Sequence, residues 1–220
     1  PVHCAPTGDF AHNPEPLPHH LTDLREAVVD HGCDRGISVD PDVDRLAFVD
    51  EMGGWFGEEY TLVAVADYIL GREGGGNTVS NLSSTRALRD VTERHGGSYT
   101  AAAVGEVNVV DGIRATRAVI GGEGNGGIIY PESHAGRDAL VGSAFFLSLL
   151  CDFGGTGSEL RATYPHYEMS KDKLNLPPAG VEEALAALRD AHPEAQINDV
   201  DGVKCDLPEG WVHLRRSNTE

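Results

Sequence analysis

Residues 36–49 read GISVDPDVDRLAFV, in which two short apolar segments flank an acidic loop. Both segments are typical of β-strands, and we predict a buried strand over 36–39 and a second strand over 46–49. Downstream, the apolar residues of 62–70 recur at the spacing of a core-facing helix stripe. Further strand-like and helix-like segments alternate along the chain, and this alternation predicts an α/β architecture with a largely parallel or mixed sheet.

The C-terminal part of the chain has a different character. Residues 137–153 are apolar on nearly every helix face, which predicts a central helix. Beyond Gly155 follow a tyrosine-rich stretch, two adjacent prolines, a helix over 181–191 and short strands around a turn at Asp201. We therefore expect a second unit of α+β type after the α/β part.

The acidic loop predicts a metal site. Asp40, Asp42 and Asp44 stand at alternate positions, and alternate residues of an extended segment point to the same side. Three carboxylates that converge in this way suit Mg²⁺, which takes oxygen ligands and usually completes its shell with water or phosphate oxygens. Arg45 follows directly, and it is open whether this guanidinium only pairs with the carboxylates or also binds a phosphate beside the metal.

Other interpretations of this loop remain. It could be a solvated acidic turn with no ligand. A calcium loop of the EF-hand type would place Glu51 at position 12, but Arg45 stands where that loop requires glycine, and strands rather than helices flank it. A phosphatase with Asp40 as the nucleophile would expect threonine where this chain has Asp44.

A glycine-rich loop, residues 121–127, follows a predicted strand at 118–120. It has neither the Gly-x-Gly-x-x-Gly spacing of dinucleotide sites nor the Gly-Lys-Ser/Thr of a P-loop, so nucleotide binding is disfavoured. Its two functional side chains, Glu123 and Asn125, can together accept and donate hydrogen bonds as vicinal hydroxyls require. We therefore predict a sugar-binding loop, with a flexible linker as the alternative.

A polar segment near the C-terminus predicts phosphate binding. The donors of this segment are Arg215, Ser217, Asn218 and Thr219. Several convergent N–H and O–H donors satisfy a dianion. The alternative is an ordinary polar strand end that follows a strand over 211–214.

Composition excludes several classes of function. The 220 residues carry 17 Lys plus Arg against 35 Asp plus Glu, a net charge of −18, which disfavours binding to nucleic acid and to anionic membranes. The longest apolar stretch, 139–151, is shorter than the ~20 residues that span a bilayer, and no signal peptide is evident, so we expect a cytoplasmic protein. The four cysteines form no Cys-x-x-Cys pair, which predicts buried, reduced thiols.

Three segments in this order resemble the motifs of the α-D-phosphohexomutase superfamily, which includes phosphoglucomutases, phosphomannomutases and phosphoglucosamine mutases. Residues 40–45 are similar to its Asp-x-Asp-x-Asp-Arg metal loop. Residues 122–126 are similar to its Gly-Glu-x-Ser/Asn-Gly sugar loop, and residues 215–220 to its Arg-x-Ser-Gly/Asn-Thr-Glu phosphate loop. The resemblance implies the end of domain 2 over 1–55, domain 3 over 56–165, and the start of an α+β domain 4 over 166–220.

The resemblance implies an isomerase that moves a phosphoryl group reversibly between the 1 and 6 positions of a hexose phosphate. An enzyme phosphoserine would donate the group, and a bisphosphorylated glucose, mannose or glucosamine would be the intermediate. Asp40, Asp42 and Asp44 would hold Mg²⁺, and Arg45 would act catalytically near the transferred group. The substrate-binding residues would be Glu123 and Asn125 for sugar hydroxyls and Arg215, Ser217, Asn218 and Thr219 for the non-reacting phosphate.

Two departures limit what the resemblance implies. The family's phosphoserine lies in a Ser-His-Asn-Pro segment of domain 1, whereas here Ala11 precedes the only His-Asn-Pro. We therefore expect the serine on a missing domain of the same polypeptide, which makes this chain alone inactive. Gly127 stands where many relatives have a histidine proposed to transfer protons, so no general acid or base is assigned. Oligomeric state and the preferred hexose stay open.

Overall fold

The computed structural model describes residues 1–5 and 7–216. Its helices are α1 Thr22–Asp30, α2 Glu58–Glu73, α3 Ala87–Arg94, α4 Glu106–Thr116, α5 Ala139–Phe153, α6 Gly157–Ala162 and α7 Pro178–Ala191. Its strands are β1 Gly36–Val39, β2 Leu46–Val49, β3 Thr78–Asn81, β4 Tyr99–Ala102, β5 Ile120–Glu123, β6 Gly127–Ile129, β7 Gln196–Asn198, β8 Val203–Asp206 and β9 Trp211–Leu214. Within this part of the chain, no helix has the length and apolar character needed to cross a bilayer.

The central sheet has the strand order β4-β3-β5-β6. β3 runs parallel to both β4 and β5, whereas β6 is antiparallel to β5. The connections β3-α3-β4 and β4-α4-β5 contain helices, as parallel pairing requires. The predicted α/β architecture with a mixed sheet is confirmed.

Helices cover both faces of this sheet. On one face, α2 is buried along most of its length and packs against α3, α5 and β5. On the other face, α4 packs against β3, β4 and β5 through a separate apolar cluster. That cluster consists of Val79, Ala102, Val109, Val110, Ile113, Ala118 and Ile129. Sheet strands buried on both sides explain why β3 and β5 contain no exposed residue.

Helix α4 is the main element that was not predicted from the sequence. Its buried residues Val109, Val110 and Ile113 have helical spacing, but Gly112 in the middle lowers the helix propensity. In the structure, a Cβ on Gly112 would lie 2.9 Å from Cγ1 of Val79. The glycine therefore allows α4 to pack closely against β3. Helix propensity reflects only local sequence, so it does not include this packing contact.

The antiparallel pair β1-β2 forms a separate two-stranded sheet that carries the acidic loop at its turn. Both strands have the predicted bounds, and β2 is completely buried. The prediction that β1 is buried is wrong, because Ile37 and Val39 are about 40% exposed. The alternate residues Gly36 and Ser38 of β1 are less exposed, so the side of the strand that carries Ile37 and Val39 faces solvent.

The prediction of a central helix over 137–153 also needs correction. α5 buries only Ala139, Gly142, Phe146 and Leu150, which form one face. Leu140 is 70% exposed on the opposite side. α5 therefore has more apolar side chains than its contacts within the described residues bury.

The C-terminal unit has the expected α+β composition. β7, β8 and β9 form an antiparallel sheet in sequence order, and α7 packs on β8. Lys204 is buried and joins this sheet to the α/β part, since its ammonium donates to the carbonyl of Leu82 at 2.7 Å. Burial lowers the pKa of Lys204 to about 8.

The four cysteines are free, as predicted, but their burial differs from the prediction. Cys205 is buried, whereas Cys4, Cys33 and Cys151 are exposed. The first three lie on a terminal segment, in a turn after α1 and at the exposed end of α5. Apolar neighbours in sequence did not indicate burial at these positions.

Candidate functional site

The acidic loop is a tight turn between β1 and β2. The amide of Val43 donates to the carbonyl of Asp40 at 3.1 Å, and Val43 has a φ of +60°. A β-branched residue rarely adopts this left-handed conformation, and such strained positions concentrate at functional sites. The carbonyl of Val43 accepts the amide of Ala139 at the start of α5, at 3.1 Å. The turn is therefore held against the end of a helix.

Asp40 is the buried anchor of the turn, with 3% of its surface exposed. Its Oδ1 accepts the amides of Asp44 at 3.0 Å and Arg45 at 2.9 Å, and its Oδ2 accepts Nε of Arg45 at 2.8 Å. Burial alone would raise the pKa of Asp40, but the backbone hydrogen bonds from Arg45 and Asp44 and the Arg45 charge bring that pKa below its usual value. Asp40 is therefore a fixed, charged carboxylate.

Asp42 and Asp44 complete the acidic set. One oxygen from each of Asp40, Asp42 and Asp44 lies within 4.8 Å of the other two. Asp42 is exposed and, within the part of the chain that the structure describes, makes no hydrogen bond or ion pair. Burial raises the pKa of Asp44 to about 6, although the charge of Arg137 opposes this rise. The three carboxylates converge as the sequence indicated, but they do so on a tight turn and not along the extended segment on which the prediction was based.

The donor set fits a divalent cation chemically. All three groups offer carboxylate oxygens, the ligands preferred by Mg²⁺ and Ca²⁺. Opposite oxygens are about 4.2 Å apart and adjacent oxygens about 3 Å apart in an octahedral Mg²⁺ shell, so the carboxylates would rotate inward to bind Mg²⁺. The two guanidinium groups beside the set leave carboxylate lone pairs available, since each ionised carboxylate has about four acceptor positions.

Arg45 is held in place by carboxylates on two sides. Its Nε donates to Asp40, and its Nη1 donates to Glu15 Oε1 at 3.0 Å. The side chain keeps 31% of its surface exposed, so the guanidinium is fixed but accessible. Glu15 comes from the proline-rich N-terminal segment, 30 residues away in sequence, and the sequence did not indicate this contact.

The glycine-rich segment is a β-hairpin, which corrects the prediction of a loop over 121–127. β5 and β6 pair antiparallel within it. Gly126 lies at the turn with a φ of +86°, a conformation that glycine adopts without steric cost. Its carbonyl accepts the amide of Leu46 at 3.1 Å, and Gly127 forms a bridge with Arg45. The hairpin is thus joined by its backbone to the acidic loop.

Glu123 and Asn125 both take part in contacts within the protein. Glu123 is 5% exposed; its Oε1 accepts Nδ2 of Asn81 at 2.9 Å and the amide of Gly105 at 3.2 Å. Asn125 Oδ1 accepts the amide of Gly127 at 3.2 Å, which leaves its side-chain NH₂ as a donor. The hairpin therefore presents one held carboxylate and one amide next to the acidic loop.

Arg137 connects the two parts of the site, and the sequence reading missed it. Its side chain pairs with Asp44, with Glu123 Oε2 at 2.8 Å and with Glu106 Oε2 at 3.1 Å. The residue directly precedes Asp138, the N-cap of α5. No spacing pattern pointed to Arg137; the only sequence signal is an arginine beside a helix start in a chain with a large acidic excess.

Most of the residues predicted to bind phosphate lie outside the part of the chain that the structure describes. Ser217, Asn218 and Thr219 lie beyond the described residues. Arg215 follows β9 and donates from Nη1 to the carbonyl of Arg216 at 3.0 Å. No hydrogen bond or ion pair joins Arg215 to the acidic loop or the hairpin among residues 1–5 and 7–216.

Glu59, at the start of α2, lies buried under the hairpin turn. A Cβ on Gly124 would overlap its carboxylate, so the glycine provides the space for it. Its Oε2 accepts the amide of Thr85 at 2.8 Å, and Lys171 Nζ lies 3.1 Å from its Oε1. That contact lacks hydrogen-bond geometry, and Oε1 has no hydrogen-bond partner in the described chain. Burial raises the pKa of Glu59 to about 7, despite the opposing charge of Lys171.

This buried acid predicts a pH dependence of stability. Because the folded pKa lies above the ordinary value of 4.5, the folded state binds the proton more tightly, and stability falls as pH rises from about 4.5 to 7. At about 1.4 kcal/mol per unit of pKa, Glu59 contributes a loss of about 3 kcal/mol over this window. Urea unfolding at pH 5 and 7.5 should show a smaller loss for Glu59→Gln than for wild type. Equal losses in the two proteins would contradict the prediction.

Comparisons with known families match most of the chain. A model described as phosphoglucomutase/phosphomannomutase, alpha/beta/alpha domain III, matches residues 57–167. The corresponding model of alpha/beta/alpha domain II matches residues 1–53. These two ranges contain the acidic loop and the glycine hairpin.

Individual proteins agree with the family models. The chain is 36% identical over its whole length to a probable phosphoglucosamine mutase of Methanopyrus kandleri, covering 49% of that protein. It is 34% identical to a phosphoglucomutase/phosphomannomutase of Thermococcus kodakarensis, again over 100% of the chain and 48% of the relative. The chain thus spans about half the length of these curated relatives. A crystal structure of a phosphoglucomutase/phosphomannomutase family protein from Burkholderia thailandensis superposes with a TM-score of 0.79 at 25% identity, covering 95% of this chain and 45% of that one.

Proposed function

Because this chain belongs to the phosphoglucomutase/phosphomannomutase family, we propose that it is part of a phosphohexomutase. The enzyme would transfer a phosphoryl group reversibly between the 1 and 6 positions of glucose, mannose or glucosamine phosphate. The names of the relatives support this substrate class. Residues 1–55 would be the end of domain 2, 56–165 domain 3, and 166–220 the start of domain 4.

One observation carries the proposal: the acidic loop and the glycine hairpin lie side by side. The carboxylates of Asp40, Asp42 and Asp44 converge to within 4.8 Å, and backbone pairing places Gly127 of the hairpin against Arg45. A metal-binding group and a sugar-binding group in contact are what phosphoryl transfer to a sugar needs, because catalysis there consists of positioning and charge stabilisation.

The acidic loop would serve the reacting end of the substrate. Asp40, Asp42 and Asp44 would hold Mg²⁺, which when bound would draw negative charge from the transferred phosphoryl group. Arg45 is already oriented by Asp40 and Glu15, so its remaining nitrogen, Nη2, can donate to a phosphate oxygen without a search through rotamers. A cation here is also favourable because the acidic groups around the loop outnumber the two arginines.

The hairpin and the C-terminal segment would serve the rest of the substrate. Glu123, fixed by Asn81 and Gly105, would accept hydrogen bonds from sugar hydroxyls, and the NH₂ of Asn125 would donate. The proposed ligands of the non-reacting phosphate remain Arg215, Ser217, Asn218 and Thr219. Binding energy at that distant phosphate would position the reacting hydroxyl.

The phosphoserine would come from another part of the polypeptide, since Ala11 precedes the only His-Asn-Pro in the 220 residues. The alternative of a phosphatase with Asp40 as nucleophile has no structural support. Both oxygens of Asp40 accept hydrogen bonds and only 3% of the residue is exposed, which favours a fixed carboxylate over a nucleophile that moves to attack phosphorus.

Asp42 gives the clearest test of the metal site. We expect Mg²⁺ at 100 times its dissociation constant to stabilise wild type by about 2.7 kcal/mol and to have no such effect on Asp42→Asn. Asp42 makes no hydrogen bond or ion pair among the described residues, and the neutral amide removes its repulsion of Asp44, so the variant should be at least as stable as wild type without metal. Thermal unfolding with and without Mg²⁺ measures both quantities.

The control for this test is Asp23→Asn, an exposed aspartate on α1 that pairs with His3 and not with any residue of the acidic loop, and this variant should keep the full response to Mg²⁺. Equal Mg²⁺ shifts in wild type and Asp42→Asn would exclude the metal site. A parallel titration with Ca²⁺ addresses the calcium alternative, because a calcium module would bind Ca²⁺ far more tightly than Mg²⁺.

A further inference from the structure

Arg137 joins three segments that are far apart in sequence. Its terminal nitrogens meet Asp44 of the acidic loop and Glu123 of the hairpin, and its Nε meets Glu106 at the start of α4. The side chain of Arg137 is 17% exposed, and its pairs with Asp44 and Glu123 are largely shielded from solvent. Its backbone is also fixed, because Arg137 forms a bridge with Ile129 directly after the hairpin.

The geometry of the hairpin makes room for this side chain. A Cβ on Gly127 would overlap Cδ of Arg137 and lie 3.1 Å from its Cγ. Gly127 and Arg137 are therefore a matched pair. The side chain of Arg137 occupies the space that a side chain at position 127 would fill. A guanidinium stays protonated at any physiological pH, so Arg137 cannot take over the proton transfer proposed for a histidine at position 127.

We propose that Arg137 is a positioning residue that fixes the acidic loop and the sugar-binding hairpin relative to each other. The proposal rests on the proposed function for its significance, since it assigns Asp44 to the cation and Glu123 to the sugar. Asp44 would keep its orientation toward the cation through its bond to Arg137. Glu123 would keep its orientation toward the sugar in the same way, so one side chain would align both ligands.

The planar fork is essential to this role. Three nitrogens of one rigid group each reach a different carboxylate, and a lysine ammonium on a flexible stem cannot reproduce that arrangement. Arg137→Lys therefore keeps the charge and loses the positioning, whereas Arg137→Met loses both. Arg94→Met is the matched control, because Arg94 also pairs with an aspartate, Asp67 at 2.7 Å, but lies on α3 away from the site.

Hydrogen exchange of the metal-free chain tests the positioning directly. We expect both Arg137 variants to exchange amides at least about tenfold faster than wild type in residues 40–46 and in residues 121–128, because both segments lose the same anchor. The Arg94 variant should leave both segments unchanged. Unchanged exchange in either segment of Arg137→Lys would overturn the proposal.

Mg²⁺ affinity, measured by titration calorimetry, separates positioning from simple charge compensation. Removing a positive charge beside Asp44 would, by Coulomb's law alone, tighten Mg²⁺ binding to Arg137→Met. Loss of positioning should instead weaken binding by about 10- to 100-fold in both variants, as for other residues that orient metal ligands. Tighter binding to Arg137→Met, or wild-type affinity in Arg137→Lys, would count against a positioning role.

The matched pair offers a further check through a double-mutant cycle. Gly127→Ala should destabilise wild type by steric overlap with Arg137 and should cost less in the Arg137→Ala background. Additive costs would contradict the spatial pairing. If wild type binds no Mg²⁺, the proposed function fails, while exchange and the cycle still decide the role of Arg137.

Discussion

Replacing Phe146 with alanine is expected to lower the free energy of unfolding by about 3–5 kcal/mol, the usual cost of removing a buried phenylalanine. Phe146 is 2% exposed and projects from α5 into the main apolar core. Its ring stacks on Phe48 of β2 with centroids 3.7 Å apart and meets Phe56 edge-on at 4.9 Å. The variant loses these ring contacts together with the buried apolar area.

Urea unfolding at constant pH measures this change. Phe153→Ala is the control, since Phe153 lies on the same helix and is 40% exposed, so its removal should cost no more than about 1 kcal/mol. Similar losses in the two variants would show that the face of α5 assigned to the core is wrong.

Replacing Asp40 with alanine is expected to cost about 3 kcal/mol of stability and to abolish Mg²⁺ binding. The change removes the acceptor of two backbone amides, those of Asp44 and Arg45, and leaves these donors without a partner in a partly buried turn. It also removes one carboxylate that pairs with the guanidinium of Arg45. Chemical denaturation without metal and calorimetric titration with Mg²⁺ measure the two losses separately.

Substitution of the neighbouring Asp42 provides the comparison for this prediction. Asp42→Ala should lose Mg²⁺ binding without measurable destabilisation, because Asp42 makes no hydrogen bond or ion pair in the described chain. Asp40→Asn should fall between the two, since the amide oxygen can still accept the backbone N–H groups but the charge is lost. If Asp40→Ala is as stable as Asp42→Ala, the assignment of Asp40 as the structural anchor of the turn is wrong.

Local features of the fold could be predicted from the sequence. The bounds of β1 and β2 follow from two short apolar runs, and the buried stripe of α2 follows from its helical period. The convergence of Asp40, Asp42 and Asp44 also depends on local spacing, because all three lie on one turn. These features involve residues within a few positions of one another, where chain geometry dictates proximity.

Features that depend on packing could not be predicted in this way. Whether residues 121–127 form a flexible loop or a hairpin depends on the pairing of β5 with β6 and with β3, whose partner residues lie 42 positions earlier. Which face of α5 is buried depends on the position of Phe48 and α2 rather than on its nearly uniform apolar composition. Gly112 similarly suggests a break in a helix, and its role becomes clear only from the close packing of α4 against β3.

By itself, the sequence determined the α/β class, the acidic loop with its three aspartates, and the family to which the motifs belong. Only the tertiary structure decided that Arg137, 93 residues from Asp44, lies between the acidic loop and the hairpin, and that Glu15 orients Arg45. The reason is physical: spacing along the chain controls the direction of neighbouring side chains, whereas a contact between distant segments exists only after the sheet and its helices have packed together.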